Sequence, residues 1–242
     1  DLTYKTIPIE HINNLDINRV DSLIDLAFPT QEKIEELGKD SYLEQANNLL
    51  VLKKDFLNQF KPLNIINISS GAVHWKNNKS NLYSKKKIEE EQLYINHCEN
   101  SNARLDIARV FGFLGRFYDY KKHYAFTSFI QQAKENNEII IESSKHVYRS
   151  YILFDNLFSY YKHRTFEFVG KNVNIFDACL DTFEIGDLAN LVAKKFSSNV
   201  IREKKIQGVD EYIGDNKYLL NYLKTNKLDW QITDKKILNL IQ

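Results

Sequence analysis

The sequence predicts an α/β protein built on an open parallel sheet, followed by a smaller lobe. Three observations predict it: short apolar, β-branched runs closed by turn residues, helical periodicity between them, and a shift beyond Gly115 toward clustered aromatics. The 242 residues are 43% hydrophobic, enough to bury a core, and 33 basic against 32 acidic side chains exclude a polycationic nucleic-acid binder. One domain, or one domain with a closely packed lobe, is expected at this length.

The first strand is Ser22-Leu23-Ile24-Asp25-Leu26-Ala27-Phe28, an apolar run stopped by Pro29. From Gln31 to Phe60 the residues Ile34, Leu37, Leu43, Leu49, Leu50, Leu52, Phe56 and Leu57 recur at helical spacing, as two helices meeting near Gly38 to Ser41. Pro62 closes that stretch, and Leu63 to Ile68 forms a second buried strand ending in Ser69-Ser70-Gly71. A helix from about Ser80 to His97 leads to a third strand, Leu105 to Phe111. Strand and helix in alternation imply parallel pairing with right-handed crossovers. Ligands then sit beyond the carboxyl ends of the strands, where Ala27-Phe28, Ser69-Ser70 and Phe111-Gly112 fall. Phe117, Tyr118, Tyr120, Tyr124, Phe126 and Phe129 open the second lobe, with a helix-like run from Thr127 to Lys134. Amphipathic helices follow from Glu184 to Phe196 and from Asn216 to Lys227.

No apolar run approaches the roughly 20 residues that cross a bilayer, and Asp1 to Glu10 lacks a signal-peptide layout, so a cytoplasmic protein with no membrane partner is expected. Cys98 and Cys179 read as buried thiols. The six histidines, His11, His74, His97, His123, His146 and His163, show no ligand spacing, and no metal is expected. Ser69-Ser70-Gly71 lacks the strained Gly-x-Ser-x-Gly elbow of a hydrolase.

Tyr83 and Lys87 stand four apart at a helix start and therefore share a face. A phenol titrates near about 10 in water, so a tyrosine exchanges protons near neutrality only where a cation favours the phenolate. Lys87 is placed to be that cation. Ser70, at the end of the preceding strand, can hydrogen-bond the oxygen that Tyr83 protonates or deprotonates. Serine, tyrosine and lysine around one oxygen interconvert an alcohol and a ketone beside a hydride carrier. Lys85 and Lys86, facing Glu89, Glu90 and Glu91 along the same helix, read as a solvated, self-compensating face.

These residues resemble the extended short-chain dehydrogenase/reductases, and among them the NAD(P)-dependent nucleotide-sugar epimerase/dehydratase group, over nearly the whole chain. Asp25-Leu26-Ala27-Phe28 is similar to the family's His-Leu-Ala-Ala strand end, with aspartate where histidine is common. Asn47 is similar to the asparagine that supports the active site, and Ser69-Ser70-Gly71-Ala72-Val73-His74 resembles Ser-Ser-x-x-Val-Tyr. Tyr83 and Lys87 match the acid/base tyrosine and the lysine that also binds nicotinamide ribose. Arg109 to Gly115 resembles Arg-x-x-Asn-x-x-Gly-Pro, with Gly112 replacing the asparagine and Arg116 the proline. Tyr148 to Leu157 resembles Arg-x-Phe-x-x-Val-x-Asp-Leu, which makes Arg149 a candidate for the nucleotide diphosphate.

The resemblance implies a Rossmann-like parallel sheet with helices on both faces over residues 1–111, and a mainly substrate-binding lobe over 112–242, some of whose segments return to the sheet. It also implies an opening strand, Gly-x-x-Gly-x-x-Gly turn and helix. The sequence enters the pattern after that unit and contains no methionine, so the expectation is a chain whose glycine-rich unit precedes Asp1. Implied roles are catalytic for Ser70, Tyr83 and Lys87; cofactor-binding, for NAD or NADP, at Leu26, Ala27, Phe28, Asn47, Ser69 and Lys87; and substrate-binding at Gly71, Gly112 and Arg149. The implied reaction is 4-epimerisation or 4-keto reduction of a nucleotide-activated sugar by a homodimer, in surface-polysaccharide synthesis. Dehydration is less favoured, since Leu82 and Ser84 supply no carboxylate beside Tyr83. The alternative is a non-catalytic nucleotide- or partner-binding protein that keeps the fold.

Overall fold

The computed structural model describes residues 6–17, 19–74, 81–116, 124–167, 170–202, 205 and 207–241. In chain order the first elements are β1 (Ser22–Asp25), α1 (Glu32–Leu37), α2 (Lys39–Phe60), β2 (Asn64–Ser70), α3 (Leu82–Glu99) and β3 (Arg104–Val110). They are followed by β4 (Phe113–Leu114), α4 (Ala125–Asn136), β5 (Glu138–Ile140), β6 (His146–Leu153), α5 (Phe154–Phe166) and β7 (Asn172–Ala178). The last are β8 (Asp181–Glu184), α6 (Ile185–Phe196), β9 (Asn199–Ile201), β10 (Val209–Tyr212), α7 (Lys217–Thr225) and α8 (Asp234–Leu240). The chain divides into two compact units, residues 1–108 with 165–175, and residues 109–164 with 176–242.

In the first unit the sheet runs β1-β2-β3-β7, and β1 lies parallel to β2 with Ser22 opposite Asn64 and Asp25 opposite Asn67. Ile65 and Ile66 of β2 are buried, as are Leu105 and Ile107 of β3, and Leu57, Tyr94 and Cys98 pack with Ile65, Leu105 and Ile107. The two helices predicted between Gln31 and Phe60 meet at Gly38, whose φ of +79° lies in the left-handed region that glycine adopts without a Cβ penalty. The third helix starts where the Asn81 side chain caps it, accepting from the Ser84 amide at 2.8 Å. Ser80 and the aromatic run Phe117 to His123 lie outside the described residues.

In the second unit β6 is central, parallel to β10 and β4 and antiparallel to β8, while β5 pairs with β9. Leu114, Phe129, Ile130, Val192, Leu188 and Ile237 form much of its core. The expected helices at Thr127 to Lys134, Glu184 to Phe196 and Asn216 to Lys227 appear as α4, α6 and α7.

Two differences have physical causes. The first strand ends at Asp25, three residues before the expected Phe28, because the Asp25 carboxylate accepts from the Ala27 amide at 3.0 Å and turns the chain off the ladder. The second unit also holds short strands, such as β5, β8 and β9, whose three or four residues are too brief to show a period. Among the described residues no helix is long and apolar enough to cross a membrane, and no group of three or more His, Cys, Asp or Glu side chains could hold a metal.

Candidate active site

The site grows from the carboxyl end of β1. Asp25 is buried there, and its carboxylate accepts from Lys53 Nζ at 2.6 Å, Tyr94 Oη at 2.6 Å and Asn67 Nδ2 at 3.3 Å. Burial would raise its pKa, but the Lys53 charge and the donated hydrogen bonds outweigh that and hold it below the ordinary 3.8. Lys53 reaches this point from α2 and also bonds the Ala27 carbonyl and the Glu90 carboxylate.

On α3, Tyr83, Lys87, Glu90, Glu91 and Tyr94 repeat at spacings of four, three, one and three, which brings them to one face. Lys87 is 2% exposed; its ammonium donates to the Ile68 carbonyl at 2.8 Å and pairs with Glu90. It also stands 4.6 Å from the centroid of the Phe28 ring. Tyr83, half-buried, meets the same ring edge-on at 6.4 Å. Burial lowers the Lys87 pKa from its usual 10.5, with Glu90 opposing, and burial raises the Glu90 carboxyl, with Lys87 and Lys53 opposing. Tyr42 and Tyr94 are pushed well above 10 by burial first, Tyr42 then by Tyr83 and Glu90, and Tyr94 by Asp25.

At the end of β2, Ser69 is buried and donates to Glu91 at 2.5 Å, while Ser70 is half-buried and accepts from the Ala72 amide at 3.2 Å. Gly71 is buried in the 3₁₀ turn that follows. The bonds from Lys87 to Ile68 and from Ser69 to Glu91 therefore fasten α3 to β2 near Ser70. Leu26 is 70% exposed beyond β1, next to half-buried Ala27 and Phe28. Asn47 is exposed on α2 and accepts from Lys86 Nζ at 2.7 Å. That bond, with a second to Glu89, buries Lys86, which corrects the expectation of a solvated face; only Lys85 is exposed.

Gly112 and Arg149 belong to the other unit. A Cβ on Gly112 would stand 2.8 Å from the Tyr151 ring and 3.1 Å from the Ser150 carbonyl, so close packing against β6 demands glycine there. Arg149 pairs with Asp210 at 2.8 Å and donates to the Tyr148 and Asp210 carbonyls. Both cysteines are buried, and burial pushes the Cys98 thiol up to about 11 and the Cys179 thiol to about 12.

Sequence reasoning gave no role to Lys53, Tyr94 or Tyr42, and it put Glu90 and Glu91 on the solvated face, whereas both are buried. A helical wheel drawn from Tyr83 places Glu90 and Tyr94 on its face, and Lys53 interrupts the apolar stripe between Leu52 and Phe56.

No family model matches the chain, and no curated protein matches it. Solved structures do. RMD from Pseudomonas aeruginosa, complexed with NADPH, is similar with a TM-score of 0.73 and 17% identity, over 97% of this chain and 84% of that one. UDP-glucose 4-epimerase from Thermotoga maritima, with UDP-glucose, has a TM-score of 0.73 and 12% identity, over 96% of this chain and 80% of that one. TunA, an NAD-dependent NDP-hexosamine 5,6-dehydratase of tunicamycin biosynthesis, has a TM-score of 0.69 and 14% identity, over 95% of this chain and 79% of that one. With its parallel β1 and β2 and the helices between its strands, the chain has the Rossmann-like α/β fold that these structures share.

Proposed function

We propose that this chain is an NAD(P)-dependent oxidoreductase or epimerase acting on a nucleotide-activated sugar. The observation that carries the reading is the shared contact of Tyr83 and Lys87 with Phe28, beside a β2 end that carries Ser70. The similar structures include an NADPH complex and a UDP-glucose complex, which supports the same ligand classes here.

Leu26, Ala27, Phe28, Asn47, Ser69 and Lys87 are the cofactor-side residues of this proposal. They suit a flat, partly apolar ring: Leu26 is largely exposed and Phe28 half-buried at the carboxyl end of β1. An ammonium has three donors; among the described residues Lys87 gives two, to Ile68 and Glu90, and the third is proposed for a ribose hydroxyl. When bound, the nicotinamide group supplies the hydride acceptor or donor. Tyr83, as phenolate, takes the proton of the reacting sugar hydroxyl and returns it in the reverse step. Ser70 donates a hydrogen bond to the same oxygen, and the positive charge of Lys87 favours the phenolate.

Epimerisation at C4 or reduction of a 4-keto sugar is preferred over dehydration, because the neighbours of Tyr83 on α3, Leu82 and Ser84, are not carboxylates. Gly71 and Gly112 are proposed substrate contacts, and Arg149 is proposed for the diphosphate, exchanging its Asp210 partner for it. A cytoplasmic homodimer joined through α3 and a place in surface-polysaccharide synthesis complete the proposal. Nucleotide-sugar turnover by Tyr83→Phe tests it. Turnover should be lost while binding of NADH or NADPH, read by nicotinamide fluorescence, stays within a few-fold; retained turnover removes Tyr83 from the mechanism.

A further inference from the structure

Lys87 carries its charge on a side chain almost wholly removed from water. At 2% exposure an ammonium must be compensated by the protein, since burial alone favours the neutral amine. Among the described residues, these groups face it. From β2 comes the Ile68 carbonyl, from the turn after β1 the Phe28 ring, from α2 the cation Lys53, from β1 the anion Asp25, and from α3 itself Tyr83 and Glu90. Asp25 is engaged by Lys53, Tyr94, Asn67 and the Ala27 amide, and Lys53 repels Lys87. Among the described residues, Glu90 is the carboxylate in direct contact with Lys87.

Glu90 is itself fully buried, with one oxygen on Lys87 and the other on Lys53, and Tyr42 and Tyr94 nearby. A carboxylate so placed holds two ammonium groups at a fixed separation. We propose that Glu90 is a positioning residue for the reaction: its buried carboxylate, bridging Lys53 and Lys87, keeps Lys87 an ammonium against Phe28 and thereby sets the charge that acts on Tyr83. This rests on the reading of Tyr83 as the acid/base group, but the first half concerns Lys87 alone. Burial and Glu90 pull the lysine in opposite directions, which accords with the geometry.

The test is a pH titration of the Lys87 ¹³Cε resonance in lysine-labelled full chain, assigned with Lys87→Met. Glu90→Gln should lower the Lys87 midpoint by about one pH unit or more, and Glu90→Asp should restore part of it. Coupling is mutual, so Lys87→Met should raise the midpoint of the Glu90 ¹³Cδ resonance, which serves if the glutamine variant does not fold. A Lys87 or Glu90 midpoint indifferent to loss of the other overturns the proposal. In the same samples the Tyr83 phenol is followed by absorbance. If it rises when Glu90→Gln lowers Lys87, both halves stand; if it ignores Lys87→Met, the acid/base reading falls and takes the catalytic half of the proposal with it, while the Lys87 midpoint alone decides the first half.

Discussion

The ammonium of Lys87 lies 4.6 Å from the centre of the Phe28 ring, and the ring of Tyr83 meets the other residue of that contact, Phe28, at 6.4 Å. One aromatic side chain from the turn after β1 thus touches both members of the pair on α3. Phe28→Leu removes the ring's attraction for the ammonium and should destabilise the protein by about 1–2 kcal/mol, whereas Phe28→Trp should retain most of it. Urea unfolding of the two variants measures the difference.

Lys53 stands between Asp25 and Glu90, both almost wholly buried. Lys53→Met leaves two buried carboxylates without their shared cation and should cost about 3–5 kcal/mol. Adding Glu90→Gln removes one of those carboxylates, so the double variant should be more stable than the single one. A double-mutant cycle in urea reports the coupling; additive losses would contradict it.

Asp25 also predicts a pH dependence. Its folded-state pKa lies below the ordinary 3.8, so the group contributes stability that is fully present above the unfolded value and is lost as pH falls through the folded one. In Asp25→Asn the acid loss of stability should be shallower than in the unsubstituted chain below a pH of about 4, as measured by unfolding midpoints across that range.

Asn81 caps α3 at 2.8 Å and thereby fixes the first turn, which carries Tyr83. Asn81→Ala should cost about 1 kcal/mol in unfolding, and Asn81→Ser or Asn81→Asp should recover most of it.

Much of the first unit was legible in the sequence because its elements carry strong local signals. β2 is a β-branched run, α2 has a long apolar stripe, and Gly38 marks a helix break by its own chemistry. The positions of Ser70 at a strand end and of Tyr83 and Lys87 in the first turns of a helix were also legible, because short-range spacing sets them. The charge cluster was not. Asp25 and Lys53 are 28 residues apart, and Lys53 and Glu90 are 37 apart, so only tertiary packing brings them together. The run Glu89-Glu90-Glu91 reads as solvent-facing because charge alone does not show that Glu90 and Glu91 turn inward while Glu89 is exposed. Lys86 misled for the same reason, since Asn47, 39 residues away, holds it.

The proposed chemistry requires that Tyr83 be a phenol that Lys87 makes acidic. Its direct measurement is the difference absorbance of phenolate against pH between the unsubstituted chain and Tyr83→Phe, repeated in Lys87→Met. The Tyr83 midpoint should lie below the ordinary value of about 10 and move upward when Lys87 is replaced. A midpoint at or above that value, indifferent to Lys87, would contradict it.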